Sequence, residues 1–549
     1  MENQRTILYI SFFFTLFLLY QQWQKDYAPA PIITETEQVI STGDIKKQSA
    51  DLAALPLADV PVDSQSPASG PGIAGLVEEV SQYPSVHVVT DLLDLKISTQ
   101  GGTINQLDLR KYQKSAEEMD KPFRLFSTRE SEYHTAQSGL VSSAQSAPNH
   151  KDIYQAEKSE YRMEEGINEM KVVLSWQKDG VQVDKIFTFK RDSYVIDVEH
   201  LVKAENWAGS EYRQLVRSLQ ERKSTMIPTY VGGVVFNDDI KYEKIDFDDI
   251  ADQSFKSDMK GGWIAMIQHY FLSAWVPDQS EINYTYTSHP TSNRYILGMR
   301  SPAAMAKTDA PASFKSQLVV GPKLQDRLEV IAPGLELTVD YGILTILAKP
   351  LFWLLKQYHT LFDNWGWAII FLTITVKLIF YKLSEVGYRS MARMRKVTPR
   401  LQSLKERYGD DRQRMSAEMM KLYKEEKINP LGGCFPILVQ IPVFIALYWV
   451  LLESVEMRNA PFALWIQNLS EQDPYYILPV LMGATMFIQQ KLNPAPVDPI
   501  QQKVFQFMPL IFMVFFLFFP SGLVLYWVVN NTLSIIQQWV ITKRIEASK

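Results

Sequence analysis

The residues with the most chemistry in them stand where apolar ones are expected. Lys377 interrupts the run WAIIFLTITVKLIFYKL (367–383), which is otherwise fit for lipid. An ammonium in the middle of a membrane-spanning helix costs roughly 2.5–3.5 kcal/mol on insertion scales, so it needs compensation. A carboxylate partner would be the simplest, yet no Asp or Glu falls inside any of the five apolar runs of the carboxy-terminal third. The ammonium must then reach water. It either extends toward Lys382, about 7.5 Å of helical rise away, or faces a hydrated recess. Other polar residues favour the recess. Thr373 lies one turn before Lys377 on the same helical face. Gln440 sits between two helix-breaking prolines, Pro436 and Pro442. In LVLYWVVNNTLSIIQQWV (523–540), Asn530 or Asn531, Ser534, and Gln537 or Gln538 share one stripe. Each uncharged residue alone also reads as polar glue between helices. An unpaired charge together with three polar faces reads as a hydrophilic, positively charged recess.

Other chemistries find little support. Six of the seven histidines are scattered through the middle of the chain without metal-ligand spacing. His269, in IQHYFLSAWV, reads as a structural histidine, packed or exposed. The single cysteine, Cys434, excludes an internal disulfide. No Walker-type loop is present, and nothing points to a cofactor, a metal or nucleic-acid sequence recognition.

The elements that position these residues follow from where the apolar side chains fall. Residues 1–27 carry Arg5, then an apolar run ending near Trp23, and read as a transmembrane anchor rather than a cleaved signal peptide, because Pro31 follows the A-x-A-like site at Ala28–Ala30. Residues 28–79, rich in Pro, Ala, Ser and acids, read as a disordered tether. From about residue 80 to 335, short alternating runs such as EMKVVLSW and YVIDVEHLV, separated by Gly, Asn and Asp turns, predict a large antiparallel β-sandwich. Residues 336–362 are apolar but broken by Lys349, Pro350 and Lys356, which fits an interfacial amphipathic helix. Residues 363–549 hold five spans, at about 365–383, 434–452, 475–489, 504–519 and 523–541. The third and fourth are short, ~22–24 Å as helices against a hydrocarbon core of ~30 Å.

Between the first two of these spans, residues 382–428 carry thirteen Lys or Arg against seven acids, whereas residues 453–474 hold Arg458 alone as a base. The positive-inside rule puts the basic segment and both termini in the cytoplasm and the β domain outside. That requires an even number of spans, six with the anchor, so 336–362 lies on the outer surface. Within 384–428 two helical segments meet at YGDD as a hairpin. Met391, Met394, Met415 and Met419 give it a soft apolar surface, which serves either as the hairpin seam or as an adaptable contact for varied apolar segments or a ribosome.

Three long motifs, NPLGGCFPILVQIPVFIALYWVL (429–451), APFALWIQNLSEQDPYYILPVLMG (460–483) and FPSGLVLYWVVNN (519–531), closely resemble the YidC family of membrane-protein insertases. KGGWIAMIQHYFLSAWVP and VGPKLQDRLEVIAPGLELTVDYG are similar to that family's large periplasmic domain in Gram-negative bacteria. The resemblance implies an inner-membrane protein: a five-helix core whose positively charged groove opens to cytoplasm and lipid, and an external β-supersandwich of the kind seen in sugar mutarotases. The groove's basic residue falls at Lys377, where the family more often has arginine. Tyr526 and Trp527 fall where it often has two tyrosines, an apolar contact. The implied partners are nascent membrane proteins, the ribosome, the Sec translocon and membrane lipid. A secondary transporter or channel would call for internal repeats and intramembrane carboxylates, and neither is present. A membrane-tethered carbohydrate-binding protein or enzyme would call for a convergent His and carboxylate constellation outside, and His269 has no partner legible in the sequence.

Overall fold

The computed structural model describes residues 83–114, 118, 120–218, 229–291, 293–408, 411–426, 435–493 and 499–547. The expected anchor and tether, the YGDD tip's residues 409 and 410, and Cys434 lie outside the described residues.

From Ser85 to Pro322 the described chain builds two large sheets, of eleven and nine strands. Period-2 alternation explains why they stack. In Val195–Lys203, Ile196, Val198, His200 and Val202 are buried while their neighbours face outward. That strand pairs antiparallel with Val181–Lys190 on one side and Ala312–Pro322 on the other. In the larger sheet Trp207–Arg217 pairs with His134–Val141 and Arg294–Arg300. One pair, Ser85–Val89 with Glu160–Arg162, is parallel. Leu95, Leu107, Phe187, Phe189, Trp275 and Leu297 belong to the single cluster between the sheets. Each such side chain contributes about 1.5–3 kcal/mol by leaving water. The alternation expected of a β-sandwich is thus what joins these layers.

Charges are buried in the same layer. His200 donates to Glu211 at 2.8 Å, and Arg213 pairs with the other carboxylate oxygen at 2.5 Å, all three side chains closed to solvent. Lys185 donates to the carbonyls of Gly101 (2.8 Å) and Ser138 (3.0 Å), and burial pushes its ammonium down to about 7.

Eight longer helices follow: α1 (Thr345–Phe362), α2 (Trp365–Ile379), α3 (Tyr381–Tyr408), α4 (Arg412–Glu425), α5 (Phe435–Glu453), α6 (Ile477–Leu492), α7 (Pro499–Phe516) and α8 (Ser521–Ala547). Their common core takes Phe352 and Leu355 from α1, Ile369 and Leu372 from α2, Leu447 and Val450 from α5, Met482 from α6, Phe516 from α7, and Val524 from α8. Outward-facing positions are also apolar, among them Trp353, Val480, Phe487, Phe507, Ile511 and Ile536. A surface this apolar is built for something other than water.

Among the described residues no single helix is long and apolar enough to cross a membrane by itself. Helices α2 and α3 satisfy that test only as a pair, bent by 68° at Phe380. The run expected as one span over 365–383 is therefore broken near its end. From Tyr381 the chain turns into α3, whose first turns still face the bundle through Ser384 and Tyr388, and the basic residues cluster from Arg389 onward. Helices α3 and α4 pack on each other through Val397, Leu401 and Leu422.

The β domain and the bundle share a seam after α5. Val455 belongs to the β-sandwich core. Arg458 donates to the carbonyls of Gln113 (2.8 Å) and Lys114 (2.9 Å) and lies over the rings of Phe123, Tyr270 and Phe271. His269 donates from Nε2 to the Leu452 carbonyl at 2.9 Å, at the end of α5. This is the structural use expected for that histidine.

Candidate functional site

Lys377 points into the bundle and is 9% exposed. Its Nζ donates to Ser534 Oγ of α8 at 2.8 Å, and the Ser534 hydroxyl in turn donates to the Asn530 carbonyl at 2.8 Å. The Tyr388 side chain of α3 lines the cavity around this pair. Among the described residues the ammonium is thus held by neutral oxygen alone, with donors to spare.

Around it lies a cavity of about 350 Å³. Helix α2 supplies Val376 and Lys377; α3 supplies Ser384, Gly387, Tyr388 and Met391; α5 supplies Gln440, Ile441, Val443 and Phe444. The remaining wall comes from Met486, Gln489, Gln490 and Asn493 at the end of α6, from Phe505, Met508 and Pro509 of α7, and from Tyr526, Trp527, Asn530, Asn531 and Ser534 of α8. Among the described residues no carboxylate lines it. Coulomb energy between unit charges 4 Å apart is about 1 kcal/mol in bulk water and about 4 kcal/mol at an effective dielectric of 20. An uncompensated ammonium in such a place attracts carboxylates and main-chain carbonyls.

Six of the seven residues expected in the groove therefore come together, Lys377, Gln440, Tyr526, Trp527, Asn530 and Ser534, with Asn531 beside them. Gln440 also bonds Ser384 across the α3–α5 contact at 3.4 Å. Thr373 does not join them. Its hydroxyl is spent on the Ile369 carbonyl at 2.7 Å and it is buried against the helix packing, so sharing a helical face with Lys377 did not place it in the cavity. The methionines divide. Met391 lines the cavity, Met394 and Met419 pack in the α3–α4 seam, and Met415 is half-buried outside that cluster. Sequence reasoning missed Ser384 and Tyr388. With Met391 they stand at i, i+4 and i+7, one face of α3, a signal hidden in a segment that reads mainly by its positive charge. Among the described residues no group of His, Cys, Asp and Glu is placed to hold a metal ion.

Comparison with known proteins agrees along the whole chain. The family described as 60Kd inner membrane protein matches residues 357–548, and the YidC periplasmic domain matches residues 85–354. The membrane protein insertase YidC of Methylococcus capsulatus is 51% identical over 557 residues, covering 100% of this chain and 99% of that protein. That of Thioalkalivibrio sulfidiphilus is 50% identical over 566 residues, with the same coverage. A crystal structure of an active YidC insertase is similar over 83% of this chain and 92% of that one, at 18% identity and a TM-score of 0.39. With sequence matches of this depth from end to end, the chain belongs to the YidC family of membrane protein insertases.

Proposed function

We propose that this insertase moves the polar part of a nascent membrane protein through the Lys377 cavity. The observation that carries the reading is an ammonium bonded, among the described residues, only to neutral oxygen, in a cavity that no described carboxylate lines. Lys377 draws an acidic or polar segment into the recess, where the remaining apolar barrier is thin. The substrate's own apolar helix then enters lipid along the outer faces of the bundle, and its hydrophobic partition supplies the free energy. No bond is made or broken and no nucleotide is needed; the protein is not an enzyme. As a point-charge device it works with lysine in place of arginine.

In this reading α2, α5, α6, α7 and α8 are the five spans, of which the short third and fourth, α6 and α7, thin the bilayer locally. Residues 1–27 are the anchor, 28–79 the tether, 80–335 the periplasmic domain, and 336–362 an interfacial helix on the outer surface. The 384–428 hairpin and both termini face the cytoplasm, where Met415 and the exposed Met420 offer a contact for the ribosome. The chain acts alone or beside the Sec translocon. The test is reconstitution. Purified protein in liposomes should protect the acidic amino-terminal tail of a newly made single-span protein from external protease well above empty liposomes. Protection equal to that of empty liposomes would reject autonomous insertion.

A further inference from the structure

A second cavity, of about 430 Å³, lies where the β domain meets the first turns of α1. Strand Lys241–Ile245, at one edge of the nine-stranded sheet, supplies Glu243 and Lys244. The turn Leu335–Thr338 supplies Glu336, Asp340 follows it, and α1 supplies Thr345 and Lys349. Two of these charges cancel, because Lys244 pairs with Asp340. Glu243, Glu336 and Lys349 have no ionic or hydrogen-bonding side-chain partner among the described residues. Burial raises the Glu243 carboxyl, with no cation set against it.

The same cavity borders an apolar surface. Ile343 and Ile346 flank Thr345 and are 98% and 86% exposed. On α1, Ala348, Phe352 and Leu355 form the buried face, and Ile346, Pro350 and Trp353 the exposed one. Thr345 and Lys349 run down the side between these faces, and Lys356 continues that side, already held by Asp326. A helix so divided lies with its apolar face in lipid and its side column at headgroup depth. Two free carboxylates and one free ammonium complement a ligand that joins an anion to a cation with N–H groups. At headgroup depth, a phosphate linked to a primary ammonium has that chemistry. A quaternary ammonium has no N–H to give a carboxylate, and a glycerol headgroup has no cation.

We propose that this cavity binds the headgroup of a zwitterionic aminophospholipid of the outer leaflet. Glu243 and Glu336 take the ammonium, Lys349 takes the phosphate, and Ile343 and Ile346 lie against the acyl chains. This rests on the reading of 336–362 as an interfacial helix. A lipid held this way ties an edge strand of the β domain, α1 and the bilayer surface together, since its contacts come from all three.

The test uses the full chain in nanodiscs holding equal parts of phosphatidylethanolamine, phosphatidylcholine and phosphatidylglycerol with identical acyl chains. Native mass spectrometry reads the lipid retained on release. Phosphatidylethanolamine should be retained about tenfold over either competitor, as for one charge-assisted hydrogen bond. Glu243→Gln combined with Glu336→Gln should erase the preference over phosphatidylcholine. Lys349→Gln should lower retention about tenfold and Lys349→Arg restore it, all with an unchanged thermal midpoint. Equal retention of the three lipids by wild type, or a preference that survives loss of both carboxylates, would overturn the site. Glycerophosphoethanolamine at the same concentration should not displace the lipid, since it lacks acyl chains; displacement would overturn a lipid as the occupant. Quenching of Trp353 fluorescence by brominated acyl chains, taken as the difference between wild type and Trp353→Phe, tests the interfacial reading separately. Quenching without headgroup preference would overturn the site and leave the helix in the interface; absence of quenching would overturn both.

Discussion

Replacing Lys377 with Gln keeps most of the side-chain volume and its capacity to donate to Ser534 Oγ, but removes the charge. The cavity holding it is lined by Asn, Gln, Ser, aromatic and aliphatic residues and, among the described residues, by no acid. A substrate carboxylate that reaches about 4 Å from the ammonium gains between about 1 kcal/mol, if the cavity behaves as water, and about 4 kcal/mol at an effective dielectric of 20. A partly hydrated cavity lies between, at about 1–3 kcal/mol. At about 1.4 kcal/mol per decade this is roughly a five- to 150-fold change in initial insertion rate. The charge argument applies only where the substrate has charge to offer. A double-mutant cycle isolates it: wild type and Lys377→Gln in liposomes, each with a single-span substrate bearing an Asp in its translocated tail or Asn at the same place. The rate, read as protease-protected tail against time, should fall by that factor for the Asp tail and by less than about twofold for the Asn tail. An equal loss for both tails would refute the electrostatic role and reduce Lys377 to a residue that holds Ser534 and α8 in place.

Three further outcomes follow from the same geometry. Lys377→Arg should stay within about twofold of wild type on both tails, since a second cation in the same cavity preserves the point charge; a tenfold loss would show that the compact ammonium itself is required. Gly366→Ala on α2 builds a Cβ into the ring of Phe462. Overpacking of this kind costs about 1–3 kcal/mol, to be seen as a lowered thermal midpoint in detergent, and an unchanged midpoint would mean the 460–474 loop yields freely. Burial holds the His269 imidazole down to about 3, so its neutral form, which donates to the Leu452 carbonyl, is the one the fold favours. With a folded value below the unfolded 6.5, its contribution is complete above pH 6.5 and is lost as pH falls toward 3. The side chain keeps some exposure, which lowers the slope to about 1 kcal/mol per pH unit. Protease sensitivity of the seam after α5 should rise between pH 6.5 and 5 in wild type and stay flat in His269→Gln. Parallel rises in both proteins would place the acid-sensitive group elsewhere.

What could be read from the sequence was whatever repeats locally or stands out against its surroundings. Alternation in Val195–Lys203 and its neighbours announces a two-sided sheet, since period 2 sends every second side chain to the core. A charge inside an apolar run announces itself, and so does the Asn530–Ser534 stripe, because both break a strong background. Sheet order was not legible. Strand Trp207–Arg217 pairs with strands about 70 residues before and 85 after it, and nothing local encodes such partners. The bend at Phe380 was hidden because the hydropathy of 365–383 runs past it. Thr373 shows the limit of a helical wheel: a shared face does not tell whether a hydroxyl is already bonded to its own helix. The seam was invisible for a related reason. Val455 and Arg458 read as parts of a short loop, yet one completes the β-sandwich core and the other rests on three of its rings.

The central claim is that the polar segment travels through the Lys377 cavity. The most direct test is photocrosslinking from positions inside and outside it during insertion. With a photoreactive residue at Met391, Met486 or Tyr526, all on the cavity wall, a stalled single-span substrate should crosslink through its acidic tail. From Ile511 or Ile536, on outward faces, it should crosslink through its apolar segment. Tail crosslinks confined to the outward positions, with none from the cavity wall, would contradict the account.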